Sequence, residues 1–323
     1  MDKEVHAAVI GSPIGQSLSP VLHRAAMAAL AVPGDYRRYE VDAAGLRPFL
    51  VQSDHTGLSV TMPLKTEMYA IACKRGWKQS PEVQLTGVVN TVVRRSDGTY
   101  VYNTDVVGMI RAIAETTPLG DIQQSILELT PQSSLEELRE HSCEFPAVAI
   151  LGSGATALSA LVAAHVCGAG RADIYVRTMA KTHNIVHLAR RLDMQTVVHA
   201  IETYEPGFHP LTISTLPAGA VENYDFTWPS DLSAQQPLRL VKNREHVSET
   251  ELLPAVVLDV AYQKSSILVQ GYRQANGIGI SGERMLLHQA VEQFKYFCPQ
   301  RNHSDNFLST VTTAMESALV RDE

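Results

Sequence analysis

The chain has 323 residues, 45 % hydrophobic and 19 % charged, which excludes a lone small module, a fibrous repeat and a disordered polypeptide. Lys and Arg number 27 against 34 Asp and Glu, a formal net charge of -7, and this balance argues against broad electrostatic attachment to nucleic acid or anionic membrane. At roughly 150 residues per domain, the length suggests two domains or one large one.

Met1 to Gly11 carries acidic residues and only a short apolar run, so neither a secretory signal nor a membrane span is expected. Val5 to Ile10, closed by Gly11-Ser12-Pro13, reads as a strand entering a loop. A helix follows from Pro20, with Ser19 as its N-cap and Pro20 in its first position. A strand at Tyr36 to Val41, a helix from Leu46 and a strand at Gly57 to Thr61 continue the alternation of a sheet flanked by helices. Leu85 to Arg94 and Thr99 to Asn103 read as strands joined across Ser96-Asp97-Gly98, ahead of a helix over Val106 to Ala114. Thr116 to Phe145 reads as a linker with an irregular helical insertion.

A second series begins at Ala147. An apolar strand to Leu151, a glycine-rich turn, a helix of small residues to Cys167 and a strand at Asp173 to Val176 follow one another. Glu222 to Pro254 is polar and reads as a surface excursion, after which Ala255 to Val260 returns to the sheet. Helices are expected over Arg284 to Phe297 and in the tail up to Val320. Cys73, Cys143, Cys167 and Cys298 lack CxxC spacing, which points to reduced structural thiols in a cytoplasmic protein and to no metal site.

Gly152-Ser-Gly154-Ala155-Thr156-Ala157 has the form GxGxxA between an apolar strand and a helix. Gly152 suits the tight turn, Gly154 the approach of a pyrophosphate and Ala157 close packing of the helix. An acid for ribose hydroxyls is expected about 20 residues on. The second strand instead ends in Val176-Arg177-Thr178, with Lys181 beyond it and Asp173 at the opposite end. Arg177, Thr178 and Lys181 offer charge and donors to a 2′-phosphate, so the cofactor is expected to be NADP.

Polar residues also recur in the first half at strand ends and helix starts: Ser17, Ser19, Thr61, Lys65, Asn90 and Asp105. Singly, each has an ordinary structural reading as a cap, turn former or surface residue. Together, Gly11 to Pro20, Val60-Thr-Met-Pro-Leu-Lys65, Gly87-Val-Val-Asn-Thr91 and Asn103-Thr-Asp105 resemble the successive motifs of shikimate dehydrogenases, in the family's order. Gly152 to Ala157, Arg177-Thr178, Asp259-Val-Ala-Tyr262 and Gly282 through Met285-Leu-Leu-His-Gln-Ala290 extend the resemblance over nearly the whole chain. Departures fall at Gln16, Ala155, Val176, Ser214-Thr215-Leu216 and Glu283.

The resemblance implies an enzyme of the shikimate pathway, interconverting 3-dehydroshikimate and shikimate with NADP in aromatic amino-acid and chorismate biosynthesis. It implies an N-terminal, open, mainly parallel α/β sheet domain plus a Rossmann-type domain, with a cleft between them. Residues 1–112 and 284–323 are expected to bind substrate, and 113–283 to bind NADP. By motif, Lys65 and Asp105 match the catalytic pair, and Ser17, Ser19, Thr61, Asn90 and Gln289 match residues holding the substrate carboxylate and hydroxyls. Tyr262 matches a tyrosine near that carboxylate. Gly152, Gly154, Ala155, Thr156, Ala157, Arg177, Thr178, Lys181 and Gly282 match the cofactor site. A lysine is ordinarily charged at neutral pH, so Lys65 is expected to donate to the substrate carbonyl and relay a proton, oriented by Asp105. A quinate or quinate/shikimate dehydrogenase using NAD, and a nucleotide-binding sensor without catalysis, are the alternatives. A monomer or homodimer is expected.

Overall fold

The computed structural model describes residues 4–116, 145–233, 236–242, 245–262, 266–299 and 306–320. It divides into two compact units, Met1–Asp105 with Leu287–Glu323, and Val106–Leu286.

The first unit is built on a six-stranded sheet. Its strands are β1 (Val5–Gly11), β2 (Gly34–Glu40), β3 (Gly57–Val60), β4 (Lys78–Gln79), β5 (Thr91–Arg95) and β6 (Gly98–Tyr102), in the order β2-β1-β3-β5-β6-β4. β2, β1 and β3 are parallel, whereas β5 is antiparallel to both β3 and β6. Helices Leu46–Gln52 and Lys65–Arg75 supply Leu46, Leu50, Met68 and Ile71 to a core that includes Ile10, Leu58, Val60, Val92 and Val101. The near-continuous apolar runs of β1 and β3 follow from burial on both faces. Helix Phe307–Val320 packs on helix Ser19–Ala29, so both ends of the chain contribute to this unit.

The second unit contains β7 (Ala147–Leu151), β8 (Arg171–Val176), β9 (Gln195–Ala200), β10 (Leu211–Ser214), β13 (Val256–Asp259) and β14 (Ile278–Ser281), ordered β14-β13-β10-β7-β8-β9. Every neighbouring pair is parallel. Chain order runs outward one way from β7 to β9 and the other way from β10 to β14, which is a doubly wound Rossmann sheet with its switch point between β7 and β10.

Some local expectations are corrected. Leu85 and Thr86 end a helix, Pro81–Thr86, and the strand starts only at Thr91. Ser80-Pro81 is a helix start and Gly87, at φ 65°, closes the helix in the left-handed region, so punctuation overrides the apolar run. Ser19 does not cap its helix: it is the first helical residue, after Leu18, and its hydroxyl accepts from Ser17. The Glu222 to Pro254 stretch is more than a surface excursion, for it holds the buried Phe226, Leu232 and Leu253 and an antiparallel pair, β11 (Gln236–Lys242) with β12 (Glu245–Leu253). The insertion expected between Thr116 and Phe145 lies almost wholly outside the described residues, as does Cys143. Cys73, Cys167 and Cys298 are free thiols. Among the described residues, no helix is long and apolar enough to cross a membrane and no His, Cys, Asp and Glu cluster could hold a metal.

Candidate active site

Lys65 opens helix Lys65–Arg75 and Asp105 opens helix Asp105–Thr116. The carboxylate suits the positive end of a helix dipole, whereas a lysine at the same end is opposed by it. Lys65 is held there by a partner: its Nζ donates to Asp105 Oδ2 at 2.6 Å, with side-chain exposures of 12 % and 5 %. The other carboxylate oxygen, Oδ1, accepts from Asn90 Nδ2 at 2.8 Å. Asn90 also donates to Thr104 Oγ1 at 2.9 Å, and its own Oδ1 accepts the Thr104 backbone N–H at 2.9 Å. Thr104 Oγ1 in turn lies 3.5 Å from Gln289 Oε1, to which it donates. Asn90, Thr104, Asp105 and Gln289 are all buried. The first unit thus brings Lys65, Asn90, Asp105 and Gln289 into one connected cluster.

The loop from Gly11 to Leu18 carries Ser17, whose hydroxyl donates to Ser19 at 3.3 Å. It is pinned to the end of β3: Ser12 N–H donates to Met62 O at 3.0 Å, and a Cβ on Gly11 would meet Thr61 Cγ2 at 2.4 Å. Thr61 is therefore seated against the serine loop, and both the Ser12–Pro13 and Met62–Pro63 bonds are cis. Residues that motif reading did not single out hold the loop from its other side. Arg38 donates to the carbonyls of Gly15 and of Ser17, the latter at 2.6 Å. Glu40 accepts from Ser12 Oγ at 2.7 Å and from Ile14 N–H at 3.2 Å. Tyr36, Arg38 and Glu40 alternate along β2 and so share a face, a signal present in the sequence but masked by the exposed, charged look of Tyr-Arg-Arg-Tyr-Glu.

Beneath these residues lies Gln293, also missed, on helix Gly282–Phe297. His23 contacts it through Nε2 at 3.3 Å and is pushed down to about 3 by burial, so its ring is neutral. The same ring stacks on Tyr36 with centroids 4.3 Å apart, and burial raises the Tyr36 hydroxyl well beyond the usual phenol range.

In the second unit, Gly152 and Gly154 sit between β7 and helix Ala155–Val166, beside the switch point. Gly152 adopts φ 112°, and a Cβ there would meet Thr215 Oγ1 at 2.6 Å, so the turn requires glycine. Gly154 has ordinary extended backbone and open space where a Cβ would stand. That open side, next to the amides of Ala155 and Thr156 at a helix N-terminus, fits a pyrophosphate. Ala157 is fully buried against the sheet.

Gly152 N–H donates to Tyr175 O at 2.9 Å, which puts the end of β8 beside this turn. Arg177, Thr178 and Lys181 follow it, exposed, and the two cations have no hydrogen-bonded or ion-pair partner among the described residues. Asp173 is buried and committed elsewhere, paired with Arg171 at 2.8 Å and 3.4 Å from His209. It is not a ribose acid. Tyr262 is partly exposed just past β13, and Gly282 packs its Cα where a Cβ would meet Val260 O at 2.5 Å.

Comparison with known proteins agrees with this architecture. Residues 9–92 match the family model for the shikimate dehydrogenase substrate binding domain. A shikimate 5-dehydrogenase from Mycobacterium fortuitum is similar with TM-score 0.66 and 28 % identity, over 98 % of each chain. The shikimate dehydrogenase of Mycobacterium tuberculosis gives TM-score 0.69 and 26 % identity, over 97 % of this chain and 99 % of that one. The pentafunctional AROM polypeptide of Eremothecium gossypii is 28 % identical over 298 residues, 89 % of this chain. The chain spans only 16 % of that polypeptide's length. Residues 9–92 thus resemble the substrate binding domain of shikimate dehydrogenases, and the chain as a whole is similar to shikimate dehydrogenases over nearly its full length.

Proposed function

We propose that the chain catalyses the reversible reduction of 3-dehydroshikimate to shikimate with NADP. The observation that carries this reading is the buried contact of Lys65 Nζ with Asp105 Oδ2 at 2.6 Å, the other carboxylate oxygen being held by Asn90. A cation stationed against the dipole at a helix N-terminus, with its carboxylate partner oriented on both oxygens, departs from local stability rules in the way functional sites do.

Oxidation of a secondary alcohol breaks a C–H bond with loss of hydride and an O–H bond with loss of a proton. Bound dinucleotide supplies the hydride acceptor or donor. The proton falls to the protein. Lys65 is positioned to donate a hydrogen bond from Nζ to the substrate oxygen and to pass the proton on to that oxygen during reduction. Asp105 holds the ammonium in place and accepts from a neighbouring substrate hydroxyl. Ser17 and Ser19 offer hydroxyl donors to the substrate carboxylate, while Thr61, Asn90 and Gln289 hold ring hydroxyls; Tyr262 is assigned to the carboxylate as well.

The dinucleotide is assigned to the second unit, with Gly152, Gly154, Ala155 and Thr156 at the pyrophosphate, Ala157 keeping that helix close to the sheet, and Gly282 close to the cofactor. The choice of NADP rests on Arg177, Thr178 and Lys181, two cations without a partner among the described residues, and on the lack of any acidic residue between β8 and the end of helix His183–Arg191. Absorbance assays of purified protein with shikimate or quinate, each with NADP or NAD, test the reading. Turnover highest with shikimate and NADP is expected; turnover only with quinate, only with NAD, or with no pair despite bound nucleotide overturns it.

A further inference from the structure

Resting on the reading of Lys65 and Asp105 as the catalytic pair, we infer that Gln293 is a positioning residue that fixes, through Thr91, the side-chain amide of Asn90 on the Asp105 carboxylate.

A glutamine amide offers two acceptor positions and two donor hydrogens. In Gln293 all of them are used. Oε1 accepts from Ser59 Oγ at 2.7 Å and from His23 Nε2 at 3.3 Å. The ring is neutral, so it has one N–H, and Nδ1 is the nitrogen without a partner; Nε2 therefore carries the hydrogen. Gln293 Nε2 donates to Asn90 O at 3.1 Å and to Thr91 Oγ1 at 2.9 Å. A flipped amide would set its NH2 against the His23 N–H and its oxygen against the Asn90 carbonyl, so only one orientation satisfies this site.

That orientation propagates. Thr91 Oγ1 has one hydrogen, and with Gln293 donating to it the hydroxyl must point its own hydrogen elsewhere; it donates to Asn90 Oδ1 at 2.7 Å. The Thr104 backbone N–H donates to the same Oδ1 at 2.9 Å. With two donors on its oxygen, Asn90 can turn only its NH2 to Asp105 Oδ1. The chain of donors is thus directional, from Ser59 to Gln293, Thr91, Asn90 and finally Asp105. It also begins at β2, where Tyr36 OH donates to Ser59 Oγ at 2.6 Å. Every residue of the relay from Tyr36 to Asp105 is buried, where unsatisfied polar groups are costly and a satisfied network keeps a single arrangement.

Gln293→Leu and Thr91→Val, made separately, break the relay while leaving Asn90, Asp105 and Lys65 themselves unsubstituted. Loss of orientation at the reacting centre is expected to lower kcat roughly ten-fold with a smaller rise in KM for shikimate, because the serine loop is intact while Asn90 also holds a ring hydroxyl. Thr91→Ser, which keeps the hydroxyl, restores kcat. In an Asn90→Ala background either substitution adds less than about two-fold, since its route of action is gone. In asparagine-selective ¹⁵N spectra, the side-chain amide signal absent from Asn90→Ala moves or broadens in Thr91→Val.

An unshifted Asn90 amide signal in Thr91→Val, or losses of equal size with and without Asn90, overturns the proposal. Should Gln293→Leu fail to fold, Thr91→Val decides by both readouts. Absence of shikimate turnover in the unaltered protein sinks the functional reading, and the amide signal still decides the positioning.

Discussion

Asp105 receives the Lys65 ammonium on Oδ2 and the Asn90 amide on Oδ1, at 2.6 and 2.8 Å, so neither oxygen of the carboxylate is free to rotate away. Asp105→Asn keeps the shape and removes the charge. The amide can accept on one side only, and a nitrogen facing Lys65 or Asn90 brings donor against donor. Turnover of shikimate is expected to fall by about 10²-fold or more, within the usual range for acid–base groups. Steady-state kinetics check it; a loss below about three-fold would remove Asp105 from the mechanism.

Gly154 separates binding from folding. Because its backbone is extended and nothing stands within 4 Å of a Cβ there, Gly154→Val costs little in stability, with Tm within about 2 °C of the unaltered protein. The added side chain fills the space assigned to the pyrophosphate, so dinucleotide affinity falls at least about ten-fold. Calorimetric titration and a thermal melt measure the two effects. Unchanged affinity would show that dinucleotide binds elsewhere.

Arg177→Ala removes an exposed cation with no partner among the described residues. A charged hydrogen bond to a 2′-phosphate contributes about 1.5–3 kcal/mol, which predicts an increase of roughly 10- to 100-fold in KM for NADP and almost none for NAD. Equal changes for both cofactors would contradict the assignment of Arg177.

His23 predicts a pH effect on stability. It stays neutral in the folded protein down to about 3, whereas in the unfolded chain it takes a proton below its ordinary value of 6.5. Between these values the unfolded state binds the extra proton, so stability falls with falling pH, by about 2 kcal/mol from pH 7 to pH 5 for this one residue. Denaturant unfolding of the protein and of His23→Gln at both pH values gives the difference. The variant should lose about 2 kcal/mol less than the unaltered chain; equal losses would mean that His23 is protonated in the folded state.

Much of this was legible in the residues. Glycine and proline punctuation and the largely apolar runs of β1, β3 and β7 placed the sheets, because burial on both faces leaves such a trace. Gly152 announced itself since its turn admits no side chain. The strand expected at Leu85 failed where Ser80-Pro81 and Gly87 closed a single helical turn and more around an apolar run. Gln293, Tyr36 and Ser59 were missed for a different reason. A glutamine in Glu-Gln-Phe-Lys looks solvated, and only the tertiary packing of its helix against β3 and β5 residues reveals that every polar atom is used. Its spacing of four from Gln289, on the same helical face, was the one trace available.

The most direct test of the account is Lys65→Ala, assayed for kcat and for shikimate affinity with NADP present. Loss of the group that moves the proton is predicted to lower kcat by about 10²- to 10⁴-fold while affinity changes by less than about five-fold, since Ser17, Ser19, Asn90 and Gln289 still hold the substrate. Near-normal turnover in Lys65→Ala would contradict the account.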